Sequence, residues 1–147
     1  VIEEAAVNCR EVEVAILGNE EVEASTVGEI EVENAFYDYG AKYVDDSSSL
    51  HIPARIESDL AERVREMGMR AFRAVEACGL SRVDFFVRKN DGQTYINEIN
   101  TMPGFTPVSM YPKLWEASGL AYGVLIDRLI ELALERHEDK KSIKTSR

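Results

Sequence analysis

The stretch that decides the fold runs Arg82-Val-Asp-Phe-Phe-Val-Arg-Lys-Asn-Asp-Gly-Gln-Thr-Tyr-Ile-Asn-Glu-Ile-Asn-Thr-Met-Pro-Gly-Phe105. It reads as two strands and a turn. Asn90, Asp91 and Gly92 interrupt two runs rich in β-branched and aromatic residues, and Gly takes the φ > 0 position of a short bulged loop. Side chains alternate across a strand, so Arg82, Asp84 and Phe86 share one face of the first strand, and Ile96, Glu98 and Asn100 one face of the second. A three-residue loop pairs Arg88 with Thr94, Asp84 with Glu98, and Arg82 with Asn100. A slip of one residue would send Asp84 to the face away from Glu98. Two acids directly opposite on a sheet repel unless something cationic sits between them. Oxygen ligands of this kind, few and leaving room for phosphate oxygens, suit magnesium carried in with a nucleotide. The competing reading is that these acids simply face water, since short motifs recur by chance.

Upstream, Glu11 to Leu17 alternates acid and aliphatic residues and reads as a strand. Gly18-Asn19 turns the chain into a second strand-rich region ending near Glu33. There Glu29, Glu31 and Glu33 alternate with Ile30 and Val32, which predicts a solvated sheet face; Glu11 and Glu13 invite the same reading. Residues 34–49 have no clean period and carry Phe36, Tyr37, Tyr39 and Tyr43. A loop of that length in a compact domain is functional or disordered, and so many rings argue against a plain linker.

From Ser58 to Cys78 apolar residues recur at Leu60, Val64, Met67, Ala71, Ala74/Val75 and Cys78. This is the period of an amphipathic helix, with Gly79 as its C-terminal cap and Met67 and Met69 as core packing. After the hairpin comes an irregular loop to Met110. A short helix follows from Tyr111 to Ser118, with Pro112 in its first turn and Gly119 as its stop. A final helix from Ala121 to Arg136 buries Leu125, Ile126, Leu129, Ile130 and Ala133. A polar tail, 138–147, is expected to fray. Strands, a helix, a hairpin and more helices make an α+β layered domain, mainly an antiparallel sheet flanked by helices.

The 147 residues are 45% hydrophobic and 30% charged, ordinary for one globular domain. A formal charge of −10 argues against a nucleic-acid phosphate binder, which needs a basic face. No apolar run is long enough for a membrane span and no secretory signal is visible. Cys9 and Cys78 lie far apart with no C-x-x-C spacing, which fits reduced thiols in a cytoplasmic protein rather than a disulfide or zinc site. His51 and His137 are isolated and are not expected to be catalytic. The chain opens on Val1, within what reads as a strand, which predicts a piece of a longer protein.

The segment Asn97-Glu-Ile-Asn-Thr-Met-Pro-Gly-Phe-Thr106 resembles the signature of D-alanine–D-alanine ligases, members of the ATP-grasp superfamily. Phe36-Tyr-Asp-Tyr-Gly-Ala-Lys-Tyr43 is similar to that family's mobile loop over the active site. Arg82-Val-Asp84 and Val108-Ser-Met-Tyr-Pro112 fall in the family's order and spacing. The resemblance runs from about Ile2 to about Arg136, and implies the C-terminal lobe of the ATP-grasp fold (1–137). The N-terminal domain and most of the small ATP-grasp subdomain would precede it.

The resemblance implies ATP-dependent ligation of two D-alanines through an acyl phosphate, for peptidoglycan precursors. Asp84, Glu98 and Asn100 match the ligands of magnesium or manganese, two ions in all. Arg82 and the Gly104 N–H match the groups that steady the transferred phosphoryl group and the oxyanion. A guanidinium suits this because its fork meets oxyanions with two hydrogen bonds. Lys42 matches the loop lysine on the phosphate or the substrate carboxylate, and Tyr43 the tyrosine that closes on the second substrate. The intact loop favours an amine nucleophile, because ligases making D-alanyl-D-lactate differ there. Ser109 and the Met110 backbone match the pocket for the second carboxylate; by itself Ser109 reads equally as a helix N-cap. Glu4, Ala6 and Val7 occupy the adenine hinge, with Ala5 where the family often has Lys, and Glu11 matches the ribose-binding acid.

The implied partners are ATP and D-alanine, with a homodimeric parent, no nucleic acid and no membrane. In the unliganded fragment, disorder is expected over residues 34–49. Two other readings compete: a different ATP-grasp carboxylate–amine ligase, and, for the isolated fragment, a non-catalytic nucleotide- or metal-binding module.

Overall fold

The computed structural model describes residues 2–32 and 48–142. Its strands are β1 (Cys9–Gly18), β2 (Val22–Val32), β3 (Ser48–His51), β4 (Gly79–Arg88) and β5 (Thr94–Asn100). Its helices are α1 (Ser58–Ala74), α2 (Met110–Ala117) and α3 (Tyr122–Ser142). The strands form one sheet in the order β3-β2-β1-β4-β5, and all neighbours run antiparallel. This is the expected α+β arrangement. Residues 2–6 carry no strand, against the expectation of one at that point.

α1 covers one face. Val64 and Phe72 pack on Val12, Val14 and Ile16 of β1 and on Val83, Phe85 and Val87 of β4. Each such side chain, fully buried, contributes about 1.5–3 kcal/mol. The helix sits close because residue 68 is Gly: a Cβ there would lie 2.7 Å from Val14 Cγ1. The opposite face is covered at one end by α2 and α3, where Tyr111, Leu114, Trp115 and Leu125 meet Ala15 and Leu17. Burial on both faces explains why residues 12 to 18 are buried without a break. The other end of that second face carries Glu11, Glu13, Arg82, Asp84, Glu98 and Asn100 in place of apolar side chains.

A bulge interrupts the β1–β2 ladder between Val14 and Ile16. The backbone N–H of Ala15 turns to Ser25 Oγ at 3.0 Å, and the Tyr111 hydroxyl donates to the Ile16 carbonyl at 3.0 Å. Side chains thus satisfy buried backbone groups that the disturbed ladder leaves over.

Several expectations need correction. α1 ends at Ala74, not Cys78, and Glu76 takes the left-handed position (φ 52). Glu76 N–H donates to Arg73 O and Ala77 N–H to Phe72 O, a Schellman closure made without glycine. Gly79, also at positive φ, opens β4 instead of capping the helix. Glu29 is not on a solvated face. It is 4% exposed, accepts from Arg10 Nη1 at 2.6 Å and Arg55 N–H at 3.1 Å, and faces the α1 side opposite Val12. Glu31 is exposed but engaged by His51 at 2.9 Å, and His51 also meets Arg55 Nη2 at 2.8 Å, so this histidine is not isolated. Ser48 and Ser49, assigned to the loop, form part of β3. On α3 Leu125 is buried and Leu129 and Leu132 are half-buried on the same side, while Ile126, Ile130 and Ala133 are exposed. α3 continues to Ser142 past the expected end at Arg136, with Lys140 and Lys141 in its last turn. Cations there oppose the negative end of the helix.

Candidate functional site

The hairpin between β4 and β5 sets the site. Arg82 pairs with Asn100 and Asp84 with Glu98, as the sequence predicts. Nearer the turn the register differs: Val87, not Arg88, pairs with Thr94, and Phe85 pairs with Ile96. The turn holds one residue more than expected. Arg88 N–H bonds to Gln93 O and Gly92 N–H to Arg88 O, with Gly92 at φ 67. Asn97 absorbs the difference as a bulge between Asp84/Glu98 and Phe85/Ile96. The bulge removes Ile96 from the face shared by Glu98 and Asn100, which keep their places.

β1 adds an acid that the hairpin alone does not reveal. Glu13 stands opposite Asp84, so Glu13, Asp84 and Glu98 form one row across three adjacent strands. Glu13 is 6% exposed, which corrects its reading as a solvated strand acid. Arg82 lies against this row. Its Nε donates to Asp84 Oδ1 and its Nη2 to Asp84 Oδ2, both at 2.7 Å, and Nε lies 3.0 Å from Glu13 Oε2. Hydrogen bonding to Asp84 raises the Arg82 pKa despite burial, and the charges of Glu13, Asp84 and Glu98 add to it. The guanidinium therefore remains a fixed positive charge at any working pH.

Glu98 is exposed, and Asn100 Oδ1 accepts from the Met102 N–H at 3.1 Å. That oxygen retains a second lone pair. Among the described residues no three His, Cys, Asp or Glu side chains are gathered as a ready cage for a metal. The donors instead fit a hard cation that brings its other ligands with it: two carboxylates and a carboxamide, all oxygen, on one face.

The loop after β5 brings two further candidates together. A Cβ on Gly104 would lie 3.0 Å from Ser109 Oγ, a tight approach to which the Ser109 side chain would have to give way. Ser109 stands at the N-cap of α2, but its side chain does not cap the helix. It accepts instead from the Thr106 N–H at 3.1 Å and lies 2.9 Å from Thr106 Oγ1. Tyr122 holds the loop by donating to Phe105 O at 2.9 Å, with their rings 5.6 Å apart.

Glu4, Ala6, Val7 and Glu11 line one cleft of about 960 Å³ with Phe86, Arg88, Tyr95 and Asn97. Arg88 hydrogen-bonds the Tyr95 hydroxyl, and its guanidinium lies 5.4 Å from the centre of that ring. Sequence reasoning missed Phe86, Arg88 and Tyr95 as cleft residues, although Phe86 alternates with Asp84 and so shares its face. Lys42 and Tyr43 lie outside the described residues, as does most of the loop expected to be disordered. No described helix is long and apolar enough to cross a membrane.

The family described as D-ala D-ala ligase C-terminus matches residues 1–131. The chain is 51% identical over its full length to a D-alanine–D-alanine ligase of Caldicellulosiruptor bescii, covering 40% of that protein. Among solved structures it resembles the D-alanine-D-alanine ligase from Coxiella burnetii, with a TM-score of 0.81 and 37% identity over 95% of this chain and 36% of that one. It also resembles a D-alanine–D-alanine ligase from Bacillus anthracis complexed with ATP, with a TM-score of 0.72 and 29% identity over 95% of this chain and 43% of the other. The chain thus spans about 40% of the length of the curated relative it matches. Five antiparallel strands, the Arg82–Asn100 hairpin and the family match over residues 1–131 lead to one assignment: the chain belongs to the D-ala D-ala ligase C-terminus family.

Proposed function

We propose that the chain is the C-terminal part of a ligase that joins two D-alanines with ATP to give D-alanyl-D-alanine. The carboxylate of one D-alanine takes the γ-phosphoryl group, and the amine of the other displaces phosphate from the acyl phosphate. The observation that carries this reading is the group Arg82, Asp84, Glu98 and Asn100 on one sheet face in a chain of this family. The ATP in the Bacillus anthracis relative supports the choice of nucleotide.

Glu4 and the backbone of Ala6 and Val7 receive the adenine, and Glu11 the ribose hydroxyls. Lys42 reaches the phosphate and Tyr43 closes on the second substrate. Arg82 offers a planar, permanently charged donor, and the Gly104 N–H a second donor, to the oxyanion that develops on the substrate. Ser109 takes the carboxylate of the second D-alanine. Asp84, Glu98 and Asn100 would hold magnesium or manganese, two ions in all, whose chemistry when bound is neutralisation of phosphate charge. The same reading places the enzyme in peptidoglycan precursor synthesis in the cytoplasm, as a homodimer. It also makes residues 1–147 alone inactive, because the nucleotide needs a second lobe to grip it.

The test is ATP-dependent phosphate release by the full-length ligase, with D-alanine set against other amino acids and D-lactate. Release that needs D-alanine supports the proposal. Release only with another amino acid identifies a different carboxylate–amine ligase. No release with any of them would leave a nucleotide- or metal-binding module.

A further inference from the structure

Asp84 has both carboxylate oxygens occupied by one guanidinium. A divalent cation on Asp84 would compete with Arg82 for that carboxylate's charge and lone pairs, and would repel the guanidinium beside it. Something else must keep Arg82 in place. Glu13 is the acid positioned for this. Its Oε2 lies 3.0 Å from Arg82 Nε, and its side chain is 8% exposed, against 13% for Asp84. It stands on the central strand, directly opposite Asp84. On its other side the facing β2 residue is Gly28, with Met110 and Leu114 of α2 packed close over that glycine. A carboxylate at the edge of an apolar layer is costly unless a cation pairs with it, and Arg82 is a cation that does so. Three carboxylates, Glu13, Asp84 and Glu98, face one guanidinium.

We propose that Glu13 is a positioning residue: it retains the Arg82 guanidinium at the site when Asp84 turns to a divalent cation. This rests on the ligase reading above. In the state described here Arg82 spends its Nε–H on Asp84, and Glu13 contributes charge at close range. Once Asp84 is drawn away, the Nε–H passes to Glu13 without the guanidinium leaving the face. The Arg82 side chain then remains free to point its other N–H groups at the substrate oxyanion.

The experiment uses the full-length ligase with its arginine side chains labelled with nitrogen-15. Solvent exchange of the Arg82 Nε–H is followed before and after addition of magnesium and ATP. In the wild type, protection is expected to persist on loading; its disappearance would overturn the proposal, and that measurement needs no variant. In Glu13→Gln, which keeps the size of the side chain and removes its charge, protection is expected on Asp84 in the free enzyme and is lost on loading. The kcat for D-alanine-dependent phosphate release is then expected to fall by about 10-fold to 10²-fold with KM for ATP changed little, as for a misplaced transition-state donor. A Glu13→Gln enzyme with wild-type kcat and retained protection overturns the proposal. So does one that loses activity while Arg82 stays protected, which would mark Glu13 as merely structural. A wild type without D-alanine-dependent release would overturn the ligase reading instead, and the exchange measurement separates the two failures.

Discussion

Arg82 and Asp84 lie two residues apart on one strand and are joined by two parallel hydrogen bonds of 2.7 Å. Alternation puts both on the same face, and the neighbours of Asp84 on either side, Glu13 and Glu98, are acids. The positive charge is therefore bound into the acidic row before any ligand arrives.

Replacing Arg82 by Lys keeps the charge and removes the fork. Lysine presents a point charge and cannot bond both Asp84 oxygens in one plane. In the full-length ligase, Arg82→Lys is expected to lower kcat on the order of 10²-fold, the usual effect of losing one donor to a developing oxyanion. A kcat within a few-fold of wild type would show that charge alone suffices.

The Tyr111 hydroxyl, fully buried, donates to the carbonyl of Ile16 beside the β1 bulge. Burial pushes its pKa up from the ordinary tyrosine value, so the folded chain holds this proton more tightly than the unfolded chain does. The stabilisation is complete below about pH 10 and is lost as pH rises above that toward the raised folded value. Tyr111→Phe is expected to destabilise the fold by about 1–2 kcal/mol at neutral pH, since the carbonyl loses its donor. It also flattens the alkaline fall in stability. Denaturant midpoints of the two proteins between pH 7 and pH 11 check this; parallel pH profiles would contradict it.

Gly68→Ala drives a methyl group to within 2.7 Å of Val14 Cγ1. The helix must lift from the sheet, and the expected loss is about 1–3 kcal/mol, as for other overpacked cores. Chemical denaturation of the chain reads this directly. A midpoint that rises instead would show that the helix has room to spare.

Glu76→Gly acts in the opposite direction. A side chain at φ 52 is strained and glycine is not, so the Schellman closure of α1 is expected to gain about 1 kcal/mol. The same denaturation experiment measures it, and a lowered midpoint would contradict the helix-end geometry described here.

Local sequence carried much of this architecture. Alternation in Arg82–Asn100 predicts Asp84 opposite Glu98, and that pairing holds because a turn one residue longer than expected is offset by a bulge. The bulge at Asn97 was not legible, because Asn97 differs from its neighbours in pairing rather than in type. Glu13 was hidden for a different reason. Its row is set by the β1–β4 pairing, between strands about 70 residues apart in sequence, and no local period reports a contact that distant. Glu29 misled because alternation shows which residues share a face but not whether a loop covers it; Arg10 and the Arg55 backbone bury it. Helix ends were the least legible. Glycine marked the stop at Gly119, but at α1 the left-handed turn fell on Glu76, where composition gave no warning.

The central claim is that the face carrying Arg82, Asp84, Glu98 and Asn100 performs D-alanine ligation. Its most direct test is ATP-dependent phosphate release by the full-length ligase with D-alanine, comparing wild type with Glu98→Ala. The account predicts release that requires D-alanine and is abolished by the substitution. Release in Glu98→Ala at the wild-type rate would contradict the assignment of this face.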